Sequence, residues 1–374
     1  MVDAQPWRPV LLSFVTARVL VLLALAVAQL LPAPVGRTDL LGWDAKWYLD
    51  IAQDGYDGVA AEGRRFFPAL PLLVRFLGGG GDHLGPVQLL VVNLAALLYA
   101  LLAHRVALDA GLSRAAADRV PWLLALNPAG FVLVMGYTES MFGVLLCVVL
   151  LASRRARWPL VAVAGFAGGF LRPTGVLLAL PVLVEAYRSA RADGWPGARR
   201  ALRSPRWRRR LGARTLAVAA PVAGAGAYLL WCWSRWGSAW APFTAQSDPD
   251  LRGGLLVNPW HAIADALQVL ADGEVVRTAP VLHLLWVAVT VTLLVVGLRW
   301  LPQSYRVFTV AMVALALTAQ GLNSFERYAA SALPLLLIAA VLLHTPVRRR
   351  VALGLGIVVT VAYAVWAFLY LAVP

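Results

Sequence analysis

The sequence has little charge. Only 14% of its 374 residues are Asp, Glu, Lys or Arg, against about 25% in soluble proteins. Lysine is nearly missing: Lys46 stands alone beside 32 arginines. The two cysteines, Cys147 and Cys232, both lie inside apolar runs, which excludes a disulfide framework and a cysteine metal knuckle. No two of the five histidines have helical ligand spacing, so no zinc motif is present, and no cofactor is expected. What the chain does have is apolar side chains, 60% of all residues, with a mean hydropathy of +0.72. Soluble domains average roughly 45–50%. An ordinary soluble enzyme is thereby excluded. The expected fold class is an all-α membrane protein, one integral membrane domain over residues 1–374.

The formal charge of +14 does not point to nucleic acid. The arginines cluster between apolar runs, as the positive-inside rule requires, and ten of them fall in 188–214. That stretch reads as a basic cytoplasmic loop. Spans are expected at 10–31, 86–106, 215–233, 279–298, 307–322, 329–343 and 351–373. The first reads as an uncleaved signal anchor, and its Arg18 must face protein or water, since a charge at that depth is costly. Two further apolar runs, 121–151 and 159–187, are interrupted by Tyr137-Thr138-Glu139 and by Arg172-Pro173-Thr174. Reading both as hairpins puts 22 basic residues on the cytoplasmic side and ten on the other. It gives about eleven crossings in all. The limb 159–170 would be only about 18 Å long at 1.5 Å per residue, short of a core of about 30 Å. The two turns should therefore lie below the outer surface, where irregular backbone is tolerated only if buried or lining a wet cavity.

Two long segments remain, 32–85 and 234–278. Both fall on the extracytoplasmic side with the two turns and with Asn323 to Tyr328. The first carries Trp43-Asp44-Ala45-Lys46-Trp47-Tyr48 and Tyr56. Asp44, Trp47 and Tyr48 share a helix face by the i, i+3, i+4 rule. An interfacial helix with aromatic rings at headgroup level would look the same. The convergence of Asp44, Glu139, Arg172, Glu326 and Arg327 on one side, with Trp43, Tyr48, Tyr56, Tyr137 and Tyr328, favours a site. Arginine forks onto phosphate, and a carboxylate can take the proton of an attacking hydroxyl. Plainer roles exist for each: Glu326–Arg327 as a buried ion pair between spans, Glu139 at a helix N-terminus, Arg172 on lipid headgroups.

Trp43-Asp44-Ala45 with Tyr48, Ile51-Ala52, Gly55-Tyr56, Phe66-Phe67-Pro68 and Pro71 resembles the PIG-V-like family, the second GPI mannosyltransferases of the GT-C superfamily. Asn127-Pro128-Ala129, Tyr137-Thr138-Glu139-Ser140 and Phe142 continue the likeness in order, followed by Arg172 with Gly175 and by Phe325 to Tyr328. The likeness covers most of residues 40–175. Pro173-Thr174 departs from the family's turn. The resemblance implies a GT-C bundle in the cell membrane with its site facing outward. It also implies a polyprenyl-phosphate-mannose donor and an acidic residue of the first outer loop, here Asp44, as catalytic base. Arg172 and Arg327 would take the donor phosphate, while Trp43, Trp47, Tyr48, Tyr56, Tyr137, Glu139 and Tyr328 would hold substrate. The partners expected are this donor, a glycolipid or glycan acceptor, and membrane lipids. The alternative is a transporter or flippase of lipid-linked glycans.

Overall fold

Long apolar runs without an interior glycine–proline break have no stable state in a bilayer except helix, because every backbone donor and acceptor must be satisfied within the chain. In the computed structural model, which describes residues 7–194, 204–247, 258–271, 278–319, 322 and 324–371, the regular elements are all helices. The expected basic loop and second long loop lie partly outside these residues, as does Asn323.

In chain order the helices are α1 Trp7–Leu30, α2 Asp44–Asp54, α3 Ala69–Gly78, α4 Leu84–Asp109, α5 Arg114–Ala117 and α6 Val120–Ala125. Then come α7 Glu139–Arg154, α8 Trp158–Leu171, α9 Ala179–Ala192, α10 Pro205–Trp236, α11 Ala241–Gln246 and α12 Pro259–Ala271. The last are α13 Thr278–Gly297, α14 Gln303–Leu317, α15 Phe325–Ala330, α16 Pro334–Leu342 and α17 Pro346–Phe368. Among the described residues, five segments are long and apolar enough to cross a membrane, in α1, α4, α10, α13 and α17. The chain is an all-α, multi-pass membrane protein.

The interrupted runs fold differently from two full hairpins. The limb after Pro121 is only α6, six residues long. It stops because Pro128 has no N–H to give and disfavours helix before it. Asn127 closes it, Nδ2 donating to Leu124 O at 2.7 Å and Oδ1 accepting from Ala129 N at 3.0 Å. A single 3₁₀ turn, Gly130–Leu133, follows before α7. The second run breaks where expected: Arg172 is extended (φ −162°, ψ 153°) and a 3₁₀ turn, Pro173–Leu178, leads into α9.

Arg18 is met by protein. Its Nε donates to Asn93 Oδ1 at 3.0 Å and its Nη2 to the Leu133 carbonyl at 3.2 Å. Thus α1 is tied to the 3₁₀ turn between α6 and α7. Helices α8 and α10 pack by close backbone approach. A Cβ on Gly169 would stand 1.8 Å from Pro221 O, and one on Gly224 2.0 Å from Phe166 O. No side chain larger than hydrogen fits there. The first outer segment docks on the end of α10: Tyr56 packs against Tyr228, Trp231 and Trp236, and Asp57 pairs with Arg235. That pairing holds the exposed Asp57 carboxyl below its ordinary range.

Candidate active site

Asp44 opens α2, and Arg327 lies in the first turn of α15. Each helix is launched from a non-glycine residue with left-handed backbone, Trp43 (φ 56°) and Ser324 (φ 58°). Such conformations cost of order 1–3 kcal/mol and persist where the surroundings over-determine them. Here they do. Trp43 Nε1 donates to Ala367 O at 2.8 Å, at the end of α17. Gln88 of α4 donates from Nε2 to Ala45 O (2.9 Å) and Gly136 O (2.7 Å). One buried amide thus clamps the start of α2 to the turn that carries Tyr137 and Glu139. Gly136 N adds a bond to Leu40 O at 2.9 Å.

These constraints bring four charges from distant parts of the chain together. Arg327 Nη1 lies 2.8 Å from Asp44 Oδ2, and its Nε 3.4 Å from Glu139 Oε1. Arg172 Nη1 lies 3.2 Å from the same Glu139 oxygen. The side chains of Arg172, Glu139 and Arg327 are 8%, 7% and 6% exposed, whereas Asp44 keeps 26%. Of the four, Asp44 is the group that solvent or a substrate can reach most easily. Glu139 Oε2 and the Tyr137 hydroxyl are buried with no hydrogen-bond partner, an expensive condition unless something else fills their valence. The guanidinium of Arg327 lies over Tyr137 and Tyr328, at 5.3 and 5.5 Å from the ring centres. Arg172 lies over Phe142 and Tyr328 at 5.3 and 5.9 Å. Both cations thus sit against aromatic rings whose quadrupoles attract them.

The cavity, of about 530 Å³ including its open mouth, is lined by Asp44, Tyr48, Tyr137, Glu139, Arg172, Arg327 and Tyr328. Arg65, Phe66, Thr138, Pro173 and Gln246 complete it. Sequence reasoning did not single out Arg65, Thr138 or Gln246. Thr138 sits inside a motif already noted, its hydroxyl 3.5 Å from Tyr48 OH. Burial and the nearby Asp44 charge push the Tyr48 phenol up, so it remains a hydrogen-bonding group.

Three expected substrate residues do not line this cavity. Trp43 packs on Tyr370. Trp47 stacks on Phe66, ring centres 5.8 Å apart. Tyr56 donates to Phe66 O at 2.6 Å. Trp47 and Tyr56 thus back Phe66, which lines the wall. Glu326 does not pair with its neighbour Arg327. One turn of helix points consecutive residues about 100° apart, and Glu326 faces α13 and α17. Its carboxylate takes a proton contact from His283 Nδ1 at 2.8 and 2.9 Å and from Tyr363 OH at 3.3 Å. Among the described residues, no three of His, Cys, Asp and Glu group as a metal would need.

No family model matches the chain. Part of it is similar to GPI mannosyltransferase 2 of Yarrowia lipolytica (strain CLIB 122 / E 150), 31% identical over 109 residues, which is 29% of this chain and 30% of that protein. In overall shape it is similar to the archaeal oligosaccharyltransferase AglB from Archaeoglobus fulgidus, solved in complex with an inhibitory peptide and a dolichol-phosphate. That match has a TM-score of 0.50 at 14% identity, over 98% of this chain and 56% of that one. A second Archaeoglobus fulgidus oligosaccharyltransferase structure, tethered with an acceptor peptide containing the NVT sequon, gives 0.47 at 13% identity, with 96% and 56% covered. The chain therefore spans little more than half of the oligosaccharyltransferase and matches under a third of the mannosyltransferase. The chain shares its fold with the archaeal oligosaccharyltransferase.

Proposed function

We propose that this protein is a GT-C membrane glycosyltransferase that moves mannose from a polyprenyl-phosphate-mannose donor to a hydroxyl of a lipid-linked glycan or other envelope acceptor. The observation that carries this reading is Arg327 joined to both Asp44 and Glu139, beside Arg172, around one cavity. Arg65, Arg172 and Arg327 face Asp44 and Glu139 there, so the wall has one positive charge in excess. A phosphate-bearing ligand complements it, and guanidinium forks match phosphate geometry. The similarity to a mannosyltransferase supports the choice of sugar.

The chemistry follows from the pairings. A donor phosphate entering the cavity competes for the Arg327 fork that Asp44 occupies. Asp44, released, accepts the proton of the acceptor hydroxyl. The hydroxyl oxygen bonds to the anomeric carbon from the face opposite the phosphate, the carbon–phosphate oxygen bond breaks, and the lipid phosphate leaves on Arg172 and Arg327. The result is inversion. A phosphate leaving group needs no second carboxyl to protonate it, unlike the alkoxide of a glycosidase. Glu139 bridges the two arginines through one oxygen, and Tyr48, Tyr137 and Tyr328 line the space for the sugar. The cavity then faces the extracytoplasmic side of the cell membrane.

Asp44→Asn and Asp44→Ala in a transfer assay with polyprenyl-phosphate-mannose test this. Loss of a general base lowers the rate about 10²–10⁴-fold. Near-full transfer by both variants overturns the role of Asp44. Lipid-linked glycan translocated without any transferred hexose overturns the enzyme reading altogether.

A further inference from the structure

At the end of the bundle away from Asp44 lies a second kind of cavity. Trp43, next to Asp44, bonds Ala367 at the end of α17, whereas Arg349 is in the first turn of that helix, about 27 Å away at 1.5 Å per residue. There, a hollow of about 900 Å³ is walled by Arg119, Arg349, Asp118 and Trp122. It adjoins a larger, almost wholly apolar groove of about 1040 Å³ between α6, α13, α16 and α17. The two share Leu123 and Leu343, so they form one trough with a basic mouth and an oily body.

The charges at the mouth do not cancel. Asp118 is already taken by Arg114 Nε (3.0 Å) and His104 Nε2 (2.8 Å). Arg119 donates from Nη1 to Ala340 O at 2.9 Å, but its Nε is buried without a hydrogen-bond partner. The N-terminus of α17, with its positive dipole end, opens at the same place. The polar residues of the apolar groove are Asn127, Thr290 and Glu326, and the Glu326 carboxylate is held by His283 and Tyr363. It repels a second anion. The trough therefore has a direction: negative headgroup at Arg119 and Arg349, apolar chains running toward Trp286 and Leu335.

We infer that this trough is a binding site for an anionic phospholipid, with the phosphate on Arg119 and Arg349 and an acyl chain along α6 and α16. The headgroup end lies across the bundle from the proposed glycosyl-transfer chemistry, the apolar body reaches Glu326 beside Arg327, and the inference does not depend on that chemistry. Basic pockets between membrane helices hold anionic headgroups, each arginine near the surface contributing about fivefold in affinity.

The test is native mass spectrometry of the full chain, released from membranes and titrated with phosphatidylglycerol or, in parallel, phosphatidylcholine. The expected result is selective retention of phosphatidylglycerol. Arg349→Gln should weaken it about fivefold, and Arg119→Gln/Arg349→Gln about 25-fold. Arg348→Gln/Arg350→Gln removes the same charge beside the trough and should leave retention unchanged. Should the double variant misfold through loss of the Ala340 contact, Arg349→Gln alone carries the test. Equal retention of the two lipids, or equal loss in the 119/349 and 348/350 pairs, overturns the proposal.

Discussion

Arg327 and Asp44 meet at 2.8 Å across 283 residues of sequence, one at the start of α15 and the other at the start of α2. The same guanidinium leans on Glu139 at 3.4 Å. It contacts both carboxylates of the cavity, so its removal takes this partner from Asp44 and leaves Glu139 with Arg172.

Arg327→Ala should therefore cost stability as well as activity. Breaking one side of a buried pair costs about 3–5 kcal/mol, and the partly exposed Asp44 brings this toward the lower figure. Thermal unfolding in detergent reads the effect. Adding Asp44→Asn to Arg327→Ala should restore much of the melting temperature while transfer stays lost. A double variant no more stable than Arg327→Ala would show that the two residues are not coupled.

Gln88→Leu should damage the site without touching the cavity. It removes both bonds of Nε2; the Ala45 carbonyl keeps its place in the α2 ladder, and that of Gly136 loses this donor. At roughly 1–3 kcal/mol for an unsatisfied buried group, the loss should be about 1–3 kcal/mol. The rate constant for transfer should fall more than donor affinity, because the clamp sets where Asp44 stands relative to Glu139.

Tyr56→Phe separates the wall from its backing. The lost bond to Phe66 O costs about 1 kcal/mol. The KM for the donor should not change, since Tyr56 lies behind the cavity. Tyr328→Ala, by contrast, strips a lining ring from between Arg172 and Arg327 and should raise that KM. Steady-state kinetics on the two variants distinguish the roles.

Gly169→Ala should destabilise the packing of α8 on α10. Its methyl would meet the Pro221 carbonyl, and backbone yields less readily than a side chain. Overpacking costs typically about 1–3 kcal/mol, and here the upper value is expected, read as a lowered melting temperature. Gly226→Ala on α10, the helix that carries Pro221, where an added Cβ meets nothing within 4 Å, serves as the neutral control.

Much of this arrangement was legible before any coordinates. Composition required helices, and charge placement brought Asp44, Glu139, Arg172 and Arg327 to one side. What stayed hidden depended on direction and register. The limb after Pro121 reads as a crossing because its residues are apolar, yet Asn127-Pro128 ends it after one and a half turns. The reading of eleven crossings counts that limb, whereas the structure has five helices of crossing length among the described residues. Glu326 and Arg327 look like partners because they are adjacent, and they part because adjacency on a helix is divergence. Arg65 lines the cavity while its neighbour Arg64 lies over Trp236, a choice made by the docking of the outer segment on α10. Gln88 carries no signal in the sequence, being one amide in a long apolar run.

Arg18 has a consequence in time. The groups that receive it, Asn93 and the carbonyl of Leu133, are made 75 and 115 residues later. During synthesis α1 reaches the bilayer with the Phe14 carbonyl, at 3.4 Å, as the guanidinium's partner within its own helix, and a charge in hydrocarbon is costly. The helix is thus made before the partners that settle it.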